Sequence, residues 1–278
     1  MKLALCQMDV VLGDASANYA QAEHYIMEAS DEGCDVILFS EMCFRGYTMD
    51  IDAICEADYR SLKTMIQFAK EYDITIGFGW GRIASEDSGA YAAGGIRGLN
   101  TAPLTEPGKG ENHYTIVDPR GEIISDYVKI HPFTYAMEDR IFAAGEEISV
   151  YDLCGIKTAT AICYDLRFPE MFEAFGEDVH LVIVPANWPA ARRMHWDTLT
   201  RARAIDYQIY VAAINSHGAQ GETTYSGGTK LIAPDGRILG AQPDEAGLLV
   251  VTFTDEADQI RRRFPVRDDR RPDLFLKI

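Results

Sequence analysis

The stretch 158–170, TATAICYDLRFPE, decides how the rest of the chain is read. A β-branched, apolar run stops at Cys163, and a polar segment follows in which Pro169 is placed to open a helix. A strand that hands over to a helix at one cysteine exposes that thiol at the carboxyl edge of a sheet. Backbone N–H groups lie near it, and a helix N-terminus there favours the thiolate. Most cysteines are small buried hydrophobes, so position alone does not make Cys163 a nucleophile.

Outward from this elbow the same alternation recurs. KLALCQMDVV (2–11) reads as a buried strand, Ala15 to Ala29 as a helix capped by Asp14, and DVILFS (35–40) as a second strand. A helical pattern from Tyr59 to Lys70 precedes ITIGFGW (74–80), which completes a β-α-β-α-β opening. From Ala84 to Glu111 the composition turns to Gly, Ala, Ser and Pro without periodicity. That predicts a long surface loop, equally a lid or a tolerated insertion. HYTIVDPRGEIISDYVKI (113–130) then reads as a hairpin turning at Asp118 to Gly121.

Further strands are predicted in VYDL, IKTATAIC, VHLVIVP, YVAAINS, YSGGTKLIAP, RILGAQ and GLLVVTF, with helices over Glu170 to Phe175 and His195 to Gln208. On the second helix Trp196, Leu199, Ala202 and Ile205 recur every three residues. This predicts the face turned to a sheet, with Arg201 and Asp206 elsewhere. No repeat or linker breaks the chain, so one α/β domain over 1–278 is expected.

Composition narrows the function classes. Of 278 residues, 47% are apolar and 25% charged, as in a folded globular chain, and a net charge of −17 opposes a nucleic-acid or anionic-membrane partner. MKLALCQMDV is too short an apolar run for a secretory leader and no stretch reaches membrane-spanning length, which predicts a cytoplasmic protein. Cysteines 6, 34, 43, 55, 154 and 163 form no CxxC pair, and His131 and His195 carry no metal-ligand spacing, so no metal is assigned. GGIRGLN and YSGGTK lack a strand-GxGxxG-helix or P-loop context, so no cofactor is implied.

Two further residues give Cys163 a context. Glu41 ends an apolar strand in DVILFSEM, and Lys129 follows an alternating strand in ISDYVKIHPF. A helix cap or a partner for Arg45 is the ordinary reading of the glutamate, and a solvated strand cation that of the lysine. Together, however, the three supply a base, a nucleophile and a positive group for a developing oxyanion, which is what amide hydrolysis by a thiol requires.

FSEM, DYVKIHPF and AICYDLRFPE resemble the carbon-nitrogen hydrolase (nitrilase) superfamily. The likeness continues through PANWPAARRMHW, LTRARAID, YVAAINSHG, YSGGTKLIAPDG and FPVRDDRRPDLF, closest to its ω-amidase branch. The resemblance implies a four-layer α-β-β-α sandwich and a Glu-Lys-Cys triad at Glu41, Lys129 and Cys163. A second glutamate maps to Glu138 in TYAMEDRIFAAG. It implies hydrolysis of a small monoamide of a short dicarboxylate, such as 2-oxoglutaramate, through a thioester, with the Tyr164 N–H and Lys129 on the oxyanion. A homodimer or larger homo-oligomer is also implied.

The substrate's free carboxylate would need a cation, for which Arg45 and Arg167 are candidates, each with a structural ion pair as its alternative. Asn187 and Trp188 in the PANWP turn are candidates for the pocket wall. The extended 84–111 loop and INSHG in place of Asn-Arg depart from the branch. An amidase for deaminated glutathione, a carbamoyl-amine hydrolase, a nitrilase and a catalytically silent scaffold subunit stay open as alternatives.

Overall fold

The computed structural model of the chain describes residues 1–83, 108–271 and 274. Runs with no polar face, such as LALC and VIL, need cover on both sides, which is what parallel strands in a layered protein receive. Accordingly β1 (Lys2–Gln7), β2 (Val36–Leu38) and β4 (Thr75–Ile83) pair in parallel at the centre of a first sheet. Its order is β15-β1-β2-β4-β5-β6, with β5 (Gly110–Val117), β6 (Ile123–Val128) and β15 (Gly247–Thr252) antiparallel to their neighbours. The short β3 (Cys55–Glu56) pairs with β4.

The second sheet runs β14-β13-β10-β9-β8-β7. Its strands are β7 (Val150–Leu153), β8 (Ile156–Thr160), β9 (Leu181–Ala186), β10 (Tyr210–Asn215), β13 (Lys230–Ile232) and β14 (Ile238–Ala241). A separate hairpin, β11 (His217–Gln220) with β12 (Thr223–Ser226), stands between β10 and β13 in the chain.

Alternation along the strands divides the core. Ala4, Cys6, Ile37, Ile76 and Phe78 meet Tyr19, Ala22 and Ile26 of α1 (Ala15–Asp31) and Leu62, Met65 and Phe68 of α3 (Arg60–Glu71). The alternate residues Leu3, Leu5, Val36, Leu38, Tyr114 and Ile116 join a larger core with the second sheet. That core also takes Met171 and Phe172 of α4 (Pro169–Ala174) and Trp196, Ala204 and Tyr207 of α5 (Arg193–Tyr207). Helices, sheet, sheet and helices thus stack as a four-layer α-β-β-α sandwich. Between α1 and α3 lies the single turn α2 (Ile51–Ile54), and α6 (Ala257–Arg263) follows β15.

Several expectations hold at the level of single hydrogen bonds. Asp14 caps α1 by accepting from the Ala17 N–H at 3.0 Å. At the 118–121 turn Asp118 accepts from the backbone of Arg120 and Glu122, both at 2.9 Å, while Gly121 takes φ +81°.

Others are corrected. The buried face of α5 is Trp196, Thr200, Arg203, Ala204 and Tyr207, and Ile205 is 46% exposed. A spacing of three falls behind the helix by about 60° per step, since each residue turns about 100°, so a Trp196–Ile205 stripe rotates off the core. YSGGTKLIAP is not one strand, because Gly227 and Gly228, both at positive φ, divide β12 from β13. A Cβ on Gly227 would come within 2.3 Å of the Gln7 carboxamide, so the crossing needs glycine. Of the predicted 84–111 loop, residues 84–107 lie outside the described residues, and with them GGIRGLN. Gly110 and Glu111 already belong to β5.

Candidate active site

Glu41 follows β2 in a tight turn, where Met42 has φ +48°. The turn rests on β4 at Gly79, whose hypothetical Cβ would lie 2.7 Å from Glu41 Cα and 2.6 Å from the Met42 nitrogen. Glycine in this strand therefore serves close backbone approach. Lys129 stands one residue past β6, and Glu138 opens a 3₁₀ turn, Glu138–Arg140. All three side chains are buried. Lys129 Nζ donates to Glu41 Oε1 at 2.9 Å and to Glu138 Oε1 and Oε2 at 3.0 and 2.9 Å.

One ammonium between two carboxylates is completed by Asn112 of β5. Its Nδ2 donates to Glu41 Oε1 at 2.8 Å and to Glu138 Oε1 at 3.2 Å. Burial pulls the Lys129 ammonium down, but Glu138 and then Glu41 more than offset this, and its pKa is held well above the ordinary lysine value. Lys129 is a fixed cation.

Cys163 takes φ +48°, a left-handed conformation that a residue with a side chain adopts only when its surroundings hold it there. Asp165, fully buried, does the holding. It accepts from the Ile162 N–H at 2.8 Å, the Tyr127 hydroxyl at 2.7 Å and the His131 N–H at 3.0 Å, and lies 2.7 Å from His131 Nδ1. The Cys163 turn is thereby tied to the segment that carries Lys129. His131, stacked on Phe168 at 3.8 Å, belongs to this scaffold.

The expected helix N-terminus behind the thiol is instead a short 3₁₀ turn, Cys163–Arg167, ahead of α4. Burial pushes the Cys163 thiol well up, the Glu41 charge adds to this, and Lys129 offsets it only in part. Burial and the neighbouring Glu41 together favour the protonated thiol here.

Cys163 and Lys129 open on a cavity of about 230 Å³, below the ~300–1,000 Å³ of drug-sized pockets. Cys163, Lys129, Tyr164, Asn187, Trp188 and Arg167 line it as expected, together with Tyr47, Phe133, Tyr135, Arg192, Thr223 and Tyr225. Asn187 differs from expectation in what its amide does. Its backbone N–H donates to Glu41 Oε2 at 2.9 Å and its Nδ2 to the Glu41 carbonyl at 2.6 Å, while its Oδ1 accepts from Ser216 and Gln220. Asn187 orients Glu41. Trp188 is both wall and packing, 5.5 Å from the Trp196 ring.

Arg45 is not brought to the cavity. It sits over Glu56, 3.9 Å away, and donates to the Ala53 carbonyl. Arg167 is brought there, 4.7 Å above Trp188 and 5.9 Å from Tyr164. Arg192, which sequence reading missed, stands over Tyr135 at 5.0 Å and Phe133 at 5.5 Å. Among the described residues no carboxylate pairs with either guanidinium. Asn112 was missed as well, though a polar residue in register with Tyr114 and Ile116 on a sheet's inner face is a readable signal. Tyr47 and Tyr225 carried none. Among the described residues no group of three His, Cys, Asp or Glu could hold a metal ion, and no helix is long and apolar enough to cross a membrane.

The carbon-nitrogen hydrolase family model matches residues 2–262. The chain is 30% identical over 277 residues to a 2-oxoglutaramate amidase of Bacillus subtilis, covering 98% of each chain. It is 32% identical over 281 residues to the omega-amidase YafV of Yersinia enterocolitica, covering 100% of this chain and 99% of that one. Among solved structures, a mutant amidase from Nesterenkonia sp. AN1 in complex with acrylamide shares the fold with a TM-score of 0.80. It is 22% identical, over 99% of this chain and 95% of that one.

Proposed function

The chain belongs to the carbon-nitrogen hydrolase family, and from that premise we propose that it hydrolyses the terminal carboxamide of a short dicarboxylic acid monoamide, 2-oxoglutaramate being the first candidate. The observation that carries this reading is the Cys163 thiol and the Lys129 ammonium, which holds the Glu41 carboxylate, on one small cavity that also takes two guanidiniums with no carboxylate partner among the described residues.

The steps follow from the protonation states. Glu41 takes the Cys163 proton as sulfur bonds to the amide carbon, and the carbonyl pair moves to oxygen. Lys129 and the Tyr164 N–H, a donor that the first residues of a helical turn leave without an internal partner, face that oxyanion. Collapse breaks the C–N bond, and nitrogen leaves as ammonia with the proton held by Glu41. Water then loses a proton to Glu41 and attacks the thioester. The C–S bond breaks, and the proton returns to sulfur.

Glu138 and Asn112 keep Lys129 and Glu41 in place throughout. Arg167 and Arg192, placed over aromatic rings and paired with no acid among the described residues, suit the far carboxylate of the substrate. The names of the relatives support the same substrate class.

The test is ammonia release from 2-oxoglutaramate, glutamine, asparagine, an N-carbamoyl amine and a simple nitrile, with wild type and Cys163→Ala. Turnover of 2-oxoglutaramate above the others, by wild type alone, is expected. Preference for the nitrile or the carbamoyl amine overturns the substrate class, and turnover by Cys163→Ala overturns the covalent route.

A further inference from the structure

Counting acceptors around the reacting nitrogen singles out one more residue, and the count rests on the amide-hydrolysis reading above. A carboxylate offers about four lone-pair sites. At Glu138 all are filled: Lys129 and Asn112 donate to Oε1, and Lys129 and the Phe133 N–H donate to Oε2. At Glu41 three are filled, by Lys129 and Asn112 at Oε1 and by the Asn187 N–H at Oε2. The remaining Glu41 site is the one that must take the thiol proton and pass it to nitrogen.

A primary carboxamide nitrogen carries two N–H bonds of its own, and once shielded from water these need acceptors. Asn187 Oδ1 is occupied by Ser216 and Gln220. Asn112 Oδ1 has no partner among the described residues but does not line the cavity. Tyr47 meets both conditions. It lines the cavity, and its hydroxyl is buried with no hydrogen-bond partner among the described residues. The charges that act on its phenol are those of Glu138, Lys129, Glu41 and Cys163, so it lies within electrostatic reach of the reacting cluster. Its backbone is anchored, since the Tyr47 N–H donates to Gln220 Oε1 at 2.8 Å and Gln220 Nε2 reaches Asn187 Oδ1 at 3.2 Å.

We infer that the Tyr47 hydroxyl accepts an N–H from the departing carboxamide nitrogen, which makes Tyr47 a catalytic residue that touches the leaving group. A buried hydroxyl without a partner costs stability in the resting protein, and the bound amide supplies the partner. The contact is made to the atom that an ester replaces with oxygen, so ester hydrolysis by the same thiol does without it.

The test is Tyr47→Phe, read by thermal melting and by kcat/KM for an ω-carboxamide and for the ω-methyl ester of the same acid. The expected result is a roughly 10–100-fold loss on the amide and a change within about twofold on the ester. The melting temperature should hold or rise, because no protein partner is lost. Equal losses on amide and ester, an unchanged amide rate, or a lower melting temperature each overturn the inference. Wild type inert towards every carboxamide would instead overturn the amidase reading, and the inference with it.

Discussion

Asn112 Nδ2 lies 2.8 Å from Glu41 Oε1, the oxygen that also accepts from Lys129 at 2.9 Å. A neutral amide thus stands as the second donor to this carboxylate, and through Glu138 Oε1, 3.2 Å away, it spans both acids. Replacing it separates shape from charge. Asn112→Leu removes donors worth about 1.5–3 kcal/mol each to a charged acceptor, so kcat/KM should fall at least tenfold. Asn112→Asp keeps the shape but sets three carboxylates around one ammonium, and should be worse than leucine in both activity and melting temperature at neutral pH. Kinetics and thermal melts of the two variants decide. An aspartate variant that behaves like wild type would remove the amide donor from the account.

The Cys163 thiol is pushed up by burial and by Glu41, and relieved only by Lys129. Its alkylation by iodoacetamide should therefore keep accelerating beyond pH 9, with no plateau near the ~8.5 of an ordinary thiol. Lys129→Met removes the cation that favours the thiolate, so labelling at pH 8 should slow further. Mass-resolved labelling rates across pH check both statements.

Arg167 and Arg192 stand as cations over aromatic rings, with no carboxylate partner among the described residues. Lysine at either position keeps a charge but loses the planar fork. Each Arg→Lys variant should raise KM for an ω-monoamide bearing a free carboxylate by about tenfold, the worth of ~1.4 kcal/mol, while a neutral amide such as propionamide responds little. A common change in KM for both substrates would assign the arginines to packing.

Away from the cavity wall, His113 is wholly buried between Asp126, 3.1 Å from Nδ1, and Glu111, 3.1 Å from Nε2, and Glu111 also pairs with Arg82. Burial lowers its pKa, but Asp126 and Glu111 outweigh this and raise it from 6.5 to about 9. A folded pKa above the unfolded value means stability that is complete below pH 6.5 and lost as pH rises towards 9. At ~1.4 kcal/mol per pH unit the loss is on the order of 3 kcal/mol. Denaturant midpoints measured from pH 6 to pH 9 should fall, and His113→Asn should start lower and vary less.

Much of this was legible in sequence because its causes are local. The Asp118–Gly121 turn, the Asp14 cap and the doubly buried apolar runs each follow from a few adjacent residues. The family motifs brought Glu41, Lys129, Cys163 and Glu138 to one place. What escaped depends on non-local geometry. Tyr47 and Arg192 reach the cavity only once the turn after β2 and the segment before α5 are docked against it. Arg45 is drawn off by Glu56, an acid supplied by β3. The helix-favoured thiolate fails for a similar reason, since burial between packed layers, and then Glu41 from a separate strand, outweigh Lys129 at the sulfur. The stripe on α5 failed on periodicity alone.

The central claim is a thioester on Cys163 that forgets its leaving group. Hydroxylamine partitioning tests it most directly. The enzyme is given the ω-carboxamide, the N-methyl amide and the methyl ester of one acid in the presence of fixed hydroxylamine, and the ratio of hydroxamate to acid is measured for each. One common ratio for all three, absent from Cys163→Ala, is the predicted result. A ratio that varies with the leaving group, or acid formed with no hydroxamate at any hydroxylamine concentration, would contradict the acyl-enzyme and leave direct attack by water.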